Sequence, residues 1–239
     1  MTIEPIAYFR SPFTSKFGIP RQSGLVEELR GEIHLVEGFR RAEALKGIEG
    51  FEWLWLIWEF SANGKSDALT VRPPRLGGNT AMGVFATRSP FRPNPLGLSS
   101  VRLDHVDWDC ADAPVIHVLG ADLMDGTPIY DIKPYVTYAD SHPEAASGFV
   151  DDTEWHPLEV IIPEDIRTGL ERFLDHNEVE ALVKTLALDP RPHYQKDPSK
   201  VYGMPFHGHD IHFTVDDGVL TVTDSTEESH RLTPPLEVR

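Results

Sequence analysis

Apolar positions along this 239-residue chain come first in short runs and later at helical spacing. Ile3 to Phe9 reads as a first strand, ended by Ser11-Pro12, and Glu32 to Val36 alternates like a second. Phe39, Ala42 and Leu45 fall on one side of a helix predicted from Phe39 to Lys46, with Gly47 as its stop. Phe51 to Phe60 is rich enough in Trp to predict a central strand buried on both faces. Its Trp53, Trp55 and Trp58 can either stack a base or pack a core, and core packing is the default for such a run. Further strands are predicted at Met82 to Ala86, Leu98 to Val106, Val115 to Leu119 and Pro128 to Val136. The loops between them, Arg72 to Asn79 and Thr87 to Gly97, are broken by Pro and Gly, and Asp125-Gly126 is a turn signal. Many short strands with little helix between them predict a mainly β fold, a small closed barrel.

Ser141 to Pro157 is acidic and patternless, which makes it the candidate linker between a domain at 1–140 and one at 158–239. Beyond it, Leu158 to Ile162 reads as a strand. Glu164 to His176 and Glu178 to Leu188 read as helices, with Ile166, Leu170, Phe173 and Leu174 on one face. Asp189-Pro190-Arg191-Pro192 ends the second helix, and Asp216-Asp217-Gly218 joins two strands as a hairpin. The second part is therefore a small α+β unit.

With hydrophobic residues at 40% and charged residues at 25%, the chain has the composition of a folded protein. Cys110 is the single cysteine, so no internal disulfide or Cys-rich metal framework exists and a reducing cytosol is expected. The N-terminus has no basic start and does not read as a signal peptide. The longest apolar run, Trp53 to Trp58, is too short to span a bilayer. A net charge of −16 by itself argues against nucleic acid, yet residues 68–103 hold Arg72, Arg75, Arg88, Arg92 and Arg102 and no acid. Such an island on an acidic body is either a focused anion site or five solvated side chains on separate faces.

The chain contains no glycine fingerprint after a strand, no P-loop and no nucleophile elbow. His207-Gly208-His209 with His212 is reminiscent of a metal cluster, and His207 and His209 would share a face of a strand. No carboxylate or fourth ligand is clearly placed there, so exposed loop histidines and no metal are expected.

Three segments carry a family signature. They are Arg10-Ser11-Pro12-Phe13 with Ile19-Pro20-Arg21-Gln22; the stretch from Val71 through Arg88-Ser89-Pro90-Phe91-Arg92-Pro93-Asn94-Pro95 to Gly97; and Asp122-Leu123-Met124-Asp125-Gly126-Thr127-Pro128 with Asp131-Ile132-Lys133-Pro134-Tyr135. Together they resemble the TrmO (TsaA-like) family of tRNA methyltransferases over nearly all of the first domain. A weaker likeness continues through Asp189-Pro190-Arg191-Pro192, Tyr194 and Tyr202. The resemblance implies a six- or seven-stranded barrel that binds S-adenosylmethionine without a Rossmann fold, and a homodimer. It also implies methylation of N6 of threonylcarbamoyladenosine at position 37, beside the anticodon of a threonine tRNA.

By the same resemblance Pro20, Arg21, Gln22, Ser61, Arg88, Leu98, Asp122, Leu123, Met124 and Asp125 line the cofactor site. Their chemistry suits it: an amide for the adenine edge, guanidinium for a carboxylate, carboxylates for hydroxyls or an amine, and apolar walls for the ring. Arg72, Arg75, Arg92 and Lys133 are candidates for RNA phosphates or for the carboxylate of the threonyl group. Methyl transfer depends mainly on alignment and exclusion of water. The urea-like N6 is a poor nucleophile, however, and needs help in losing its proton. Asp122, Asp125, Tyr135 or the substrate's own carboxylate could give that help. Trp53 and Ser61 depart from the family pattern, which commonly has His at both places, and the smaller Ser61 hydroxyl puts one cofactor contact in question. Two other functions compete: a methyltransferase of a small molecule, and a non-catalytic binder of S-adenosylmethionine or RNA. The arginine island favours RNA, because a small substrate has no use for five cations.

Overall fold

The computed structural model describes residues 2–153, 155–192, 195 and 197–227; Tyr194 and the end of the chain from residue 228 lie outside the described residues. In chain order the elements are β1 (Ala7–Arg10), β2 (Arg30–Leu35), α1 (Ala42–Leu45), β3 (Trp53–Glu59), β4 (Thr70–Val71), β5 (Met82–Gly83), β6 (Leu96–Asp107), β7 (Val115–Leu119) and β8 (Pro128–Pro134). The second half adds α2 (Thr137–Asp140), β9 (Glu159–Ile161), α3 (Glu164–Leu170), α4 (His176–Ala187), β10 (Tyr202–Phe206), β11 (His209–Asp216) and β12 (Val219–Glu227).

Six strands pair in the order β1-β2-β7-β6-β3-β8, and β1 pairs back to β8 through Ala7 with Ile129 and Tyr8 with Pro128. The mainly β, non-Rossmann class expected from the sequence is the one observed. The core of this sheet is built from side chains that alternate inward along each strand: Phe9, Ile33, Leu54, Leu56, Trp58, Val101, Ile116, Val118 and Ile129. The central strand differs from expectation. β3 is buried on one face only: Leu54, Leu56 and Trp58 point in, while Trp53, Trp55, Ile57 and Glu59 are partly exposed. Its apolar outer face makes an alternating strand read as continuous. Gly97 on β6 faces Trp58 so closely that a Cβ there would lie 2.3 Å from the indole, so the large ring fits only because its neighbour has no side chain.

The helix predicted over Phe39 to Lys46 shrinks to the single turn of α1, and Phe39 is exposed. Four residues cannot sustain a helix without packing, and only Leu45 reaches the core. Met82 to Ala86 is strand for two residues and then a 3-10 turn, and β4-β5 pair only with each other. This leaves residues 61–95 as a long arm beside the six-strand sheet.

In the second half β10-β11-β12-β9 form a four-stranded sheet, with β9 parallel to β12. The Asp216-Asp217-Gly218 hairpin is present. α4 begins at a capping box, in which the Asp175 carboxylate accepts from the Glu178 amide and the Glu178 carboxylate accepts from the Asp175 amide. Its apolar face, Val179, Leu182 and Leu186, packs on Met204, Phe206, Ile211, Phe213, Leu220 and Val222. Phe13, Val26 and Leu29, from the β1–β2 connection, belong to this same core. The first sixth of the chain thus threads between both sheets. His207 N–H donates to Pro12 C=O at 3.0 Å, and Arg30 pairs with Asp175 at 2.5 Å.

The histidine motif does not lie as a strand would place it. His207 and Gly208 form the β10–β11 turn, with His207 at φ 49°. His207 faces Glu178, His209 stacks on Phe173, and His212 lies between Asp210 and Asp224. Among the described residues, no group of His, Cys, Asp and Glu is arranged to hold a metal. No described helix is long and apolar enough to cross a membrane.

Candidate active site

Three stretches meet at one end of the six-strand sheet: residues 20–24 of the β1–β2 connection, the start of β6, and the β7–β8 connection. Backbone bonds hold them: Gly24 N–H to Gly120 C=O at 2.8 Å, Gly120 N–H to Leu29 C=O at 2.8 Å, and Asp125 N–H to Phe13 C=O at 2.9 Å. Gly120 sits at φ 75°, where a side chain would be strained, and so lets the chain leave β7 sharply.

At the centre is a directed chain of hydrogen bonds. The Trp58 indole N–H donates to Ser99 Oγ at 2.9 Å, and Ser99 Oγ donates to Asp122 Oδ1 at 2.5 Å. An indole can only donate, so it takes a lone pair of Ser99 and turns that hydroxyl's hydrogen toward Asp122. Trp58 and Ser99 are both buried. Burial raises the Asp122 carboxyl above its ordinary value, against the opposing pulls of Ser99, of backbone N–H groups including that of Ser23, and of the Arg88 charge. Asp122 Oδ1 is committed to Ser99, so a proton taken up by this group goes to Oδ2. A partly buried carboxylate with raised proton affinity, on an oriented donor, has the properties of a general base.

Around it the predicted residues are divided by the fold. Arg88 Nη1 donates to Gln22 Oε1, which brings the arm against the β1–β2 connection. Leu98 lies exposed on β6 beside Ser99, and Leu123 is fully buried. Asp125 is occupied structurally: Oδ1 accepts from Ser11 N–H at 3.2 Å, and Oδ2 pairs with Arg10 at 3.4 Å. Ser61 stands exposed just past β3, its amide bonded to Glu59 C=O. Tyr135 is not brought here. Its ring packs on Trp55 and its N–H bonds to Trp53 C=O, at the far end of β3 from Trp58, about 16 Å along the strand.

Pro20 and Arg21 face the second half of the chain. With Lys16, Phe17, Ile19, Thr185, Leu188 and Asp189 they line a cavity of about 210 Å³. Burial and the Arg75 charge lower the Arg21 pKa, and Asp189 opposes them.

The RNA candidates are dispersed. Arg72 is exposed on the arm, and Arg75 reaches Val150 C=O at 3.4 Å. Arg92 folds back on Thr87 and Ser89 carbonyls at 3.2 and 3.4 Å, and Lys133 pairs with Asp131 at 2.7 Å. Sequence reasoning missed Trp58 and Ser99 as site residues. The available signal was a serine between Gly97 and Val101 at the inward positions of β6, opposite the strand carrying the tryptophans.

Comparison with known proteins bears on the family and the fold. The tRNA-methyltransferase O N-terminal domain matches residues 8–141, and the TrmO C-terminal domain matches residues 156–228. A tRNA (adenine(37)-N6)-methyltransferase of Escherichia coli is 40% identical over 225 residues, covering 92% of this chain and 95% of that one. A Pseudomonas aeruginosa protein named for S-adenosylmethionine-dependent methyl transfer is 40% identical over 220 residues, covering 89% and 91%. A crystal structure of TrmO from Pseudomonas aeruginosa superposes with a TM-score of 0.76 at 33% identity, covering 95% of this chain and 97% of that one. With both halves matched and the fold shared end to end, the chain belongs to the tRNA-methyltransferase O family.

Proposed function

We propose that this chain is a tRNA (adenine-37-N6) methyltransferase that uses S-adenosylmethionine, and that its substrate base is threonylcarbamoyladenosine in a threonine tRNA. The observation that carries the reading is the Trp58–Ser99–Asp122 chain ending beside Gln22 and Arg88. The donor set fits the cofactor. Gln22 offers an amide to an adenine edge, Arg88 a guanidinium to a carboxylate, Asp122 to Asp125 oxygens to hydroxyls or an ammonium, and exposed Leu98 with Met124 an apolar wall. When bound, S-adenosylmethionine supplies an electrophilic methyl group.

The protein's own part is to hold N6 in line, exclude water, and receive the N6 proton. Asp122 Oδ2 receives it, with Ser99 fixing the carboxylate and buried Trp58 fixing Ser99. Asp125 serves as the clamp that holds the β7–β8 connection against Arg10 and Ser11. Tyr135, distant from this point, pairs with Trp55. In this reading the six-strand ring is a small barrel in a first domain, 1–140, that does the chemistry, and the unit after the linker 141–157 helps to hold the tRNA. The exposed Leu69, Phe85 and Phe91 of the arm support a homodimer, and the exposed Arg72 and Arg75 on the same arm support contact with RNA phosphates.

The test uses S-adenosylmethionine with a labelled methyl and two threonine tRNAs, with and without the threonylcarbamoyl group. Label in the modified tRNA alone is the expected result. Label in neither, with cofactor binding demonstrated, overturns the reading in favour of a small-molecule methyltransferase or a non-catalytic binder.

A further inference from the structure

The turn that presents Arg88 belongs to neither large sheet, since β4 and β5 pair only with each other. Within residues 84–92 only Val84 is buried, whereas Phe85 is 79% and Phe91 52% exposed. The place of Arg88 therefore depends on polar bonds inside the turn rather than on a core. Thr87 N–H and Thr87 Oγ1 both donate to Val84 C=O, at 3.2 and 2.9 Å. Ser89 N–H donates to Thr87 Oγ1 at 3.4 Å, and Phe91 N–H donates to Ser89 Oγ at 3.2 Å. Arg92 closes the set. Its Nη1 donates to Thr87 C=O at 3.2 Å and to Ser89 C=O at 3.4 Å, the carbonyls of the two residues that flank Arg88. Bonds from a guanidinium to a carbonyl are charge-assisted and stronger than neutral ones.

The local sequence lets Arg92 reach back in this way. Ser89 and Arg92 each precede a proline, which biases both toward extended backbone, and Pro90 and Pro93 have a fixed φ. Arg92 N–H donates to Pro90 C=O at 3.1 Å within this stiff segment. The bridges from residue 92 to residues 87 and 89 leave the backbone at residue 88 little freedom, while the Arg88 side chain extends to Gln22 Oε1. We propose that Arg92 is a positioning residue for the cofactor site: its guanidinium fixes the Arg88 turn, so that Arg88 meets the carboxylate of S-adenosylmethionine from a set place beside Gln22. Its charge serves the chain itself and not an RNA phosphate, which separates Arg92 from the exposed Arg72 and Arg75. The inference rests on the proposed function, which gives that carboxylate to Arg88. A turn released from Arg92 holds Arg88 in the competent place for only a fraction of the time, and affinity falls by that fraction. A fraction of about a tenth to a third lowers it about three- to tenfold.

The experiment measures S-adenosylhomocysteine binding by calorimetry in the full-length protein. It compares wild type, Arg88→Ala, Arg92→Ala, Arg92→Lys and the double variant Arg88→Ala/Arg92→Ala, and it follows tRNA affinity against salt for wild type and Arg92→Ala. Both Arg92 bonds come from one nitrogen, so the lysine ammonium can restore part of them. Arg88→Ala should weaken S-adenosylhomocysteine binding about tenfold or more, Arg92→Ala about three- to tenfold, and Arg92→Lys by less. The double variant should bind as Arg88→Ala does, because a tether has no effect once the tethered side chain is gone. The slope of tRNA affinity against salt should be the same in wild type and Arg92→Ala. Additive losses in the double variant overturn the proposal, since Arg92 then acts without Arg88, as a merely structural residue would. Unchanged affinity in Arg92→Ala, with Arg88→Ala weakened, overturns it and leaves the proposed function standing. A salt slope smaller by about one in Arg92→Ala overturns it in favour of a phosphate contact. If Arg92→Ala does not fold, Arg92→Lys alone and combined with Arg88→Ala carries the same comparison. Unchanged affinity in Arg88→Ala removes Arg88 from the cofactor carboxylate and the role of Arg92 with it, whereas methyl transfer to modified tRNA tests the proposed function separately.

Discussion

Replacing Asp122 by Asn keeps the acceptor for Ser99 and removes the proton-accepting oxygen. If Asp122 takes the N6 proton, kcat should fall by about 10²- to 10⁴-fold, which is about 3–5 kcal/mol of barrier. No neighbour can substitute: Asp125 is held by Ser11 N–H and Arg10, and Tyr135 packs on Trp55. The same substitution should act on stability with the opposite sign. Burial raises the Asp122 pKa above its ordinary value of 3.8, so the folded protein keeps a proton that the unfolded chain has lost. That contribution is fully present below the unfolded value and is lost as pH rises through the folded one. Asn has no proton to lose.

The stability of Asp122→Asn relative to wild type should therefore be near zero at low pH. It should grow with a slope of up to about 1.4 kcal/mol per pH unit between the two pKa values, then level off. For a chain of this length each kcal/mol is about 2–4 °C in melting temperature. The assay is single-turnover methyl transfer across pH alongside thermal melts at the same pH values. Wild type should show an acidic limb in rate that the variant lacks. A variant retaining more than a tenth of wild-type kcat, with cofactor affinity intact, would refute Asp122 as the base. A variant no more stable than wild type at pH 8 would refute the argument from burial.

Ser99→Ala removes both the acceptor of the buried Trp58 indole and the donor to Asp122. It should cost about 1–3 kcal/mol in urea unfolding for the orphaned N–H, and it should move the acidic limb of the rate profile to higher pH, because the lost bond was lowering the Asp122 pKa. Phe213→Ala, in the core shared by the second sheet and by Phe13, Val26 and Leu29, should cost about 3–5 kcal/mol. All five tryptophans precede residue 158, and the longest helix, α4, follows it. Tryptophan fluorescence and far-ultraviolet circular dichroism should therefore shift together in one transition; separate midpoints would contradict the common core.

How much of this was readable from sequence depends on whether the deciding force is local. β7 was predicted at its observed ends, and the Asp216-Asp217-Gly218 hairpin was found, because alternation and turn chemistry lie within a few residues of each other. The Phe39 to Lys46 helix failed because its spacing is helical but no partner surface covers Phe39. β3 was misread as doubly buried because a strand whose outer face carries Trp53, Trp55 and Ile57 has lost the polar half of its alternation.

The site shows the same boundary. Gln22, Arg88 and Asp122 were proposed from unusual local peptides, and the fold brings the three near one another. The sequence did not separate Asp122 from Asp125 and Tyr135 as a base. What separates them is pairing at long range: Ser99 lies 23 residues away along the chain, Trp58 is a further 41 residues from Ser99, and Ser11 N–H reaches Asp125 across 114 residues. Proton affinity is set by burial and by the donors around a group. Two aspartates three residues apart in one motif thus meet different partners, Asp125 bonded to Ser11 and Arg10 and Asp122 to Ser99, in segments that the motif does not contain.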